Sequence, residues 1–135
     1  MKRVLVLCTG NSCRSQMLHG YLAQDRSLEV ASAGVDPHGL NPGAVAAMAE
    51  VDIDISHHTS NHIDEYRGQP FDLVVTVCDD ARERCPVLPG ARRHLHRSFP
   101  DPARATGTED QIRAAFRTTR DQLAAFAATL RSDLE

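Results

Sequence analysis

With 135 residues, 41% of them hydrophobic and 24% charged, the chain has the size and balance of one soluble globular domain, which excludes a disordered polymer. A net charge of -3 excludes a strong pull on nucleic acid, although Arg82, Arg84, Arg92, Arg93 and Arg97 make one stretch locally basic. The apolar run behind Lys2 and Arg3 covers only residues 4–7, too short for a signal-peptide core or a membrane span, so a cytoplasmic protein with no membrane partner is expected.

Residues 2–7, rich in valine and leucine, predict a strand that ends at a glycine-containing loop, and residues 16–24 then carry the apolar spacing of a helix. Residues 28–33 predict a second strand closed by Gly34. An alanine-rich helix is expected over 42–50, with Asn41 as its N-cap and Pro42 at its first position. Residues 53–70 mix His, Ser, Asp, Gly and Pro and hold at most a short helix over 63–66. The apolar run at 71–77 suits the centre of a parallel sheet and ends at Cys78. A weaker strand at 94–95 follows the turn formers Pro86, Pro89 and Gly90. Thr108 and Gln111 make a capping box for a long last helix, on which Ile112, Phe116, Leu123, Phe126 and Leu130 keep one apolar face. This alternation predicts a single α/β domain over 1–135, with about four parallel strands and helices on both faces joined by right-handed crossovers. Ligands in such sheets bind at the carboxyl ends of strands, where both Cys8 and Cys78 are expected.

Four cysteines in a chain with no expected secretory signal read as reactive thiols or metal ligands rather than as a structural disulfide framework. The loop Cys8-Thr9-Gly10-Asn11-Ser12-Cys13-Arg14-Ser15 lies between a strand and a helix N-terminus, where backbone N–H groups and the helix dipole converge on an anion. Gly10 allows the backbone to curl inward, and Arg14 offers a planar fork of donors to two oxygens. The same field favours a thiolate at Cys8, to which Ser15 can donate a hydrogen bond. Taken singly, Cys8 is a small buried residue and Arg14 a surface charge. Together, as C-x5-R-S between strand and helix, they point to nucleophilic attack on a tetrahedral oxyanion.

That loop, extended by Val6 and Leu7, resembles the loop of the low-molecular-weight protein tyrosine phosphatase superfamily, which includes thioredoxin-coupled arsenate reductases. The resemblance covers nearly the whole chain, since length, element order and later motifs follow in the same order. The stretch from Val74 to Pro86 looks like the redox segment of the arsenate reductases, with Cys78 and Cys85 spaced C-x6-C, a pair the phosphatases lack. From the residues alone, buried unreactive thiols or a zinc half-site stay open, but the spacing exceeds the usual C-x2-4-C knuckle. His57, His58, His94 and His96 read as packing or surface histidines, and no metal is expected. Phe99-Pro100-Asp101-Pro102-Ala103 resembles the Asp-Pro-Ala motif that carries the general acid of the reductases; the phosphatase motif continues with tyrosine where this chain has Ala103.

The resemblance implies an enzyme of arsenic detoxification that reduces arsenate to arsenite as a monomer, with no bound cofactor. On that reading Cys8 attacks arsenate, Thr9, Gly10, Asn11, Ser12, Cys13, Arg14 and Ser15 hold its oxygens, and Asp101 protonates the departing hydroxide. Cys78 then displaces arsenite from Cys8, and Cys85 carries the oxidation into a Cys78–Cys85 disulfide that thioredoxin reduces. A helix between those two cysteines would hold them about 10 Å apart, so their bond requires that stretch to loosen. The competing readings are a low-molecular-weight protein tyrosine phosphatase and a redox sensor without turnover. Several family members bind potassium through acidic residues beside the loop; this chain has His19 and Asn61 at what match those positions, so that ion is not expected. Cys13 is read as packing against the loop rather than as a partner for Cys8.

Overall fold

Four strands, β1 (Lys2–Cys8), β2 (Leu28–Gly34), β3 (Leu73–Thr76) and β4 (Arg93–His96), form one parallel sheet in the order β2-β1-β3-β4. The computed structural model describes residues 1–79 and 88–134; Cys85 and the rest of 80–87 lie outside the described residues. Strand β1 is central, and its side chains alternate between two buried clusters. Val4, Val6 and Cys8 pack with helices α1 (Arg14–Leu22), α2 (Pro42–Ala49) and α3 (Glu109–Leu134). Leu5 and Leu7 face Ile63, Phe71, Val74 and Leu88 on the other side, where, among the described residues, a 3-10 turn (Ile63–Tyr66) contributes to the cover. Burial on both faces explains why β1 reads as an unbroken apolar run. Among the described residues, no helix is long and apolar enough to cross a membrane.

Local signals set several boundaries as expected. Asn41 Oδ1 accepts the N–H of Gly43 at 2.7 Å, capping α2. Thr108 and Gln111 exchange hydrogen bonds of 2.8 and 3.2 Å ahead of α3. Other boundaries differ. Helix α1 begins at Arg14 rather than at residue 16, and most of it is buried, including the polar Arg14, Ser15 and Gln16. A helix enclosed on most sides has no polar face, so apolar spacing does not mark its start. Strand β3 stops at Thr76, where the Val77 N–H makes a last bond of 3.0 Å to Leu7 O. Strand β4 runs one residue further at each end than expected.

Helices α2 and α3 are tied by one carboxylate. Glu50 accepts two bonds from Arg117 and one from Arg120, which also reaches Ala47 O at 2.8 Å. The Arg117 hydrogen bonds, then that of Arg120, hold the Glu50 carboxyl down at about 2. A depressed carboxylate stabilises the fold above its unfolded value of 4.5, and that contribution fades as pH falls towards 2. Glu50→Gln is therefore expected to lower the melting temperature at pH 7 more than at pH 2.5, which thermal unfolding at the two pH values checks.

Candidate active site

The strand order reverses between β1 and β3, and a sheet of this kind leaves a crevice where neighbouring connections diverge. Cys8 is the last residue of β1, and the chain enters α1 at Arg14 after five loop residues. The carbonyls of that loop are each bonded outward. Thr9 O accepts from Asp36 N, Gly10 O from His38 N and Ser60 Oγ, and Ser12 O from Asn41 N. Asn11 O accepts from the Gln16 side chain, and Cys13 O from Met17 N within the helix. In a planar trans peptide the next N–H points opposite the carbonyl. The amides of Gly10, Asn11, Ser12, Cys13 and Arg14 are thereby turned to the concave side, at the positive end of α1.

Two backbone features permit so tight a turn. Asn11 takes a positive φ of 46°, the left-handed region that asparagine tolerates better than most residues. Gly34, at the end of β2, lies so close that a Cβ there would strike Thr9 O and sit 2.7 Å from Cys8 O.

The side chains fix the surroundings of the Cys8 thiol. Asn11 Oδ1 accepts the backbone N–H of Asn61 at 2.8 Å, which orients the amide so that Nδ2 donates to Ser15 Oγ, also at 2.8 Å. Ser15 Oγ lies 3.3 Å from Cys8 Sγ, and with Asn11 on one of its lone pairs the hydroxyl still has its proton to offer a thiolate at that position. Cys8, Cys13 and Cys78 are buried and reduced. Cys13, at the N-cap of α1, is a different kind of thiol: burial pushes it up to about 12, so at neutral pH it stays protonated and packs. Arg14, only 2% exposed, donates to Phe99 O at 3.2 Å and holds a second nitrogen 3.6 Å from Asp101 Oδ2. Asp101 uses its other oxygen to cap a 3-10 turn (Pro102–Arg104) through Ala103 N at 3.0 Å.

The register pairs Leu7 with Thr76, so Cys78 emerges beside Cys8, one residue beyond its level, in the same buried cluster. A cavity of about 360 Å³ opens between Asp79, Asp101, Arg104 and Thr119. Cys8, Arg14, Asp101 and Cys78 are thus gathered at one sheet edge; Cys85, the other half of the expected relay, falls outside the described residues. The positions associated with potassium hold His19, which burial keeps neutral, and Asn61, whose amide is engaged with Thr59.

The chain is 51% identical over 124 residues to an arsenate reductase of Bacillus subtilis (strain 168), covering 90% of this chain and 89% of that protein. An arsenate reductase of Halalkalibacterium halodurans is 48% identical over 126 residues, with the same two coverages. The family described as low molecular weight phosphotyrosine protein phosphatase matches residues 3–135. The chain belongs to this family, among its arsenate reductases. A solved arsenate reductase in the phosphate binding state superposes over 100% of both chains with a TM-score of 0.84 at 30% identity. The fold is shared more widely: a low molecular weight protein tyrosine phosphatase from T. tengcongensis gives 0.76 at 23% identity over 98% of this chain.

Within this family fold, sequence reasoning missed the supports behind the loop. Gln16 spans two carbonyls, Asn11 O at 3.1 Å and Thr59 O at 2.9 Å, and its own oxygen meets His58 Nδ1 at 3.0 Å. Gly34, Asn61 and Ser60 complete that backing. The only local signal is a glutamine directly behind Ser15, where apolar spacing is expected to begin. Among the described residues, no group of three or more His, Cys, Asp or Glu side chains is placed to hold a metal ion.

Proposed function

We propose that this protein reduces arsenate to arsenite through Cys8, with Cys78 and Cys85 carrying the oxidation to a thioredoxin-type dithiol. The observation that carries this reading is the loop whose carbonyls are all engaged by other groups, leaving its amides for an anion, beside a Cys8 sulfur 3.3 Å from the Ser15 hydroxyl. Such a cradle binds a tetrahedral oxyanion and leaves the sulfur in line with its central atom. Cys8 sulfur bonds to arsenic, and a hydroxyl departs as water with a proton from Asp101. Cys78 thiolate then attacks Cys8 sulfur; a disulfide forms, and the electron pair of the sulfur–arsenic bond stays on arsenic, which leaves as arsenite. Attack of Cys85 on Cys78 frees Cys8 and leaves a Cys78–Cys85 disulfide for the external dithiol. In total, one arsenate and two thiols give one arsenite, one disulfide and water.

The assay combines arsenate, thioredoxin, thioredoxin reductase and NADPH with the wild type and with Cys78→Ser and Cys85→Ser. Sustained NADPH consumption by the wild type alone is expected, and the loss should exceed about 100-fold in each variant. If neither substitution slows consumption, the relay assignment is wrong. The family description favours a second reading, phosphate ester hydrolysis. Equal rates on an aryl phosphate in all three proteins, with no arsenate reduction, would establish it instead.

A further inference from the structure

Behind the loop, two histidines from separate segments lie face to face. The ring of His19, on α1, stacks on His58, in the segment before the 3-10 turn, with centroids 4.2 Å apart and planes 28° from parallel. His57 meets His58 edge-on at 4.9 Å, and His19 Nδ1 lies 2.9 Å from Ser32 Oγ on β2. None of these groups belongs to the anion cradle itself.

We propose that His58, held by its stack on His19, is a positioning residue for Cys8, acting through Gln16, Asn11 and Ser15. The hydrogen-bond directions form one consistent chain. Gln16 Nε2 faces two carbonyls, which only accept, so its amide cannot be reversed and Oε1 must face His58. His58 therefore carries its proton on Nδ1 and donates it. The fixed Gln16 amide holds Asn11 O, while Asn11 Nδ2 holds Ser15 Oγ 3.3 Å from Cys8 Sγ, within reach to donate to a thiolate there. The stack suits this task because neither ring is charged at neutral pH. Burial pushes His19 down to about 3, with His58 and His57 adding repulsion, and burial followed by His57 also lowers His58, against a small opposing effect of Asp54. Ser32 faces His19 from β2.

The inference rests on Cys8 as the nucleophile, and its test separates the two ideas. Three full-length variants are compared: His58→Phe keeps a ring for the stack but has no N–H, His58→Asn places an amide N–H near the lost Nδ1, and His19→Ala removes the stacking partner. Two readouts are taken, the rate of Cys8 alkylation by iodoacetamide followed by peptide mapping, and kcat and KM for arsenate. His58→Phe is expected to lower both the alkylation rate and kcat about tenfold with KM within twofold, since the oxyanion contacts remain. His58→Asn should recover to within about threefold of the wild type, and His19→Ala should fall between. Unfolding temperatures identify any variant that fails to fold, and His58→Asn carries the test if His58→Phe does. An alkylation rate unchanged in folded His58→Phe, or His58→Asn more than tenfold impaired, would overturn the proposal. A wild type that reduces no arsenate, but whose Cys8 alkylation still follows this order, would sink the reductase reading and leave the positioning role standing.

Discussion

Replacing Cys8 with serine is expected to lower arsenate turnover by at least about 10,000-fold while leaving phosphate binding within about threefold. The two quantities separate because different atoms supply them. On the proposed reading, binding comes from backbone amides left free of the loop carbonyls' contacts, and from Arg14; none of these is touched by the change of sulfur to oxygen. Turnover, on the proposed mechanism, needs a strong nucleophile that a second thiol can later attack. A serine hydroxyl meets neither requirement, and it cannot enter a disulfide with Cys78. Isothermal titration with phosphate and the coupled NADPH assay on the same preparation measure both. A Cys8→Ser protein that still turned over arsenate at a tenth of the wild-type rate would remove Cys8 from the mechanism.

Arg14→Lys should be harmful in the opposite way, with phosphate affinity down at least about tenfold and kcat/KM for arsenate down about 100- to 1,000-fold. Arg14 is buried, with one nitrogen on Phe99 O and another facing Asp101. A guanidinium can hold those partners and still present donors to two oxygens of an anion, whereas an ammonium offers a point charge with no fixed fork. The variant also loosens the link between α1 and the segment that carries Asp101, so Asp101 and Cys8 lose their common reference. Titration and steady-state kinetics decide this; an Arg14→Lys protein with unchanged phosphate affinity would show that the amides alone hold the anion.

The parts of this site that can be read from the sequence are those in which neighbours in the chain are also neighbours in space. Cys8 through Ser15 fold onto themselves. The Asn41 cap and the Thr108–Gln111 box are contacts across two or three residues. Cys78 is legible beside Cys8 because a parallel sheet aligns strand ends. The hidden parts depend on contacts across long separations. His58 reaches Gln16 over 42 residues and Asn61 reaches Asn11 over 50, and nothing in either local stretch announces the other. Residues 53–70 read as a connection, yet they supply Thr59, Ser60 and Asn61 to the back of the loop. The start of helix α1 is hidden for a related reason: its polar first turn faces the interior, where chemistry rather than apolar packing selects the residues.

The outward carbonyls have a further consequence for how the molecule holds together. The partners of Thr9, Gly10 and Ser12 come from two other stretches, one at Asp36, His38 and Asn41 and the other at Ser60, so the loop is also a clasp joining three parts of the chain. An ion seated there rewards the clasp only when it is closed. Any tetrahedral anion that fits, reactive or not, therefore acts as a folding ligand whose grip scales with its concentration, worth about 2.7 kcal/mol at a hundred times its dissociation constant. Ordinary phosphate, of the same shape and charge as arsenate, would in that role protect the protein between encounters with its substrate.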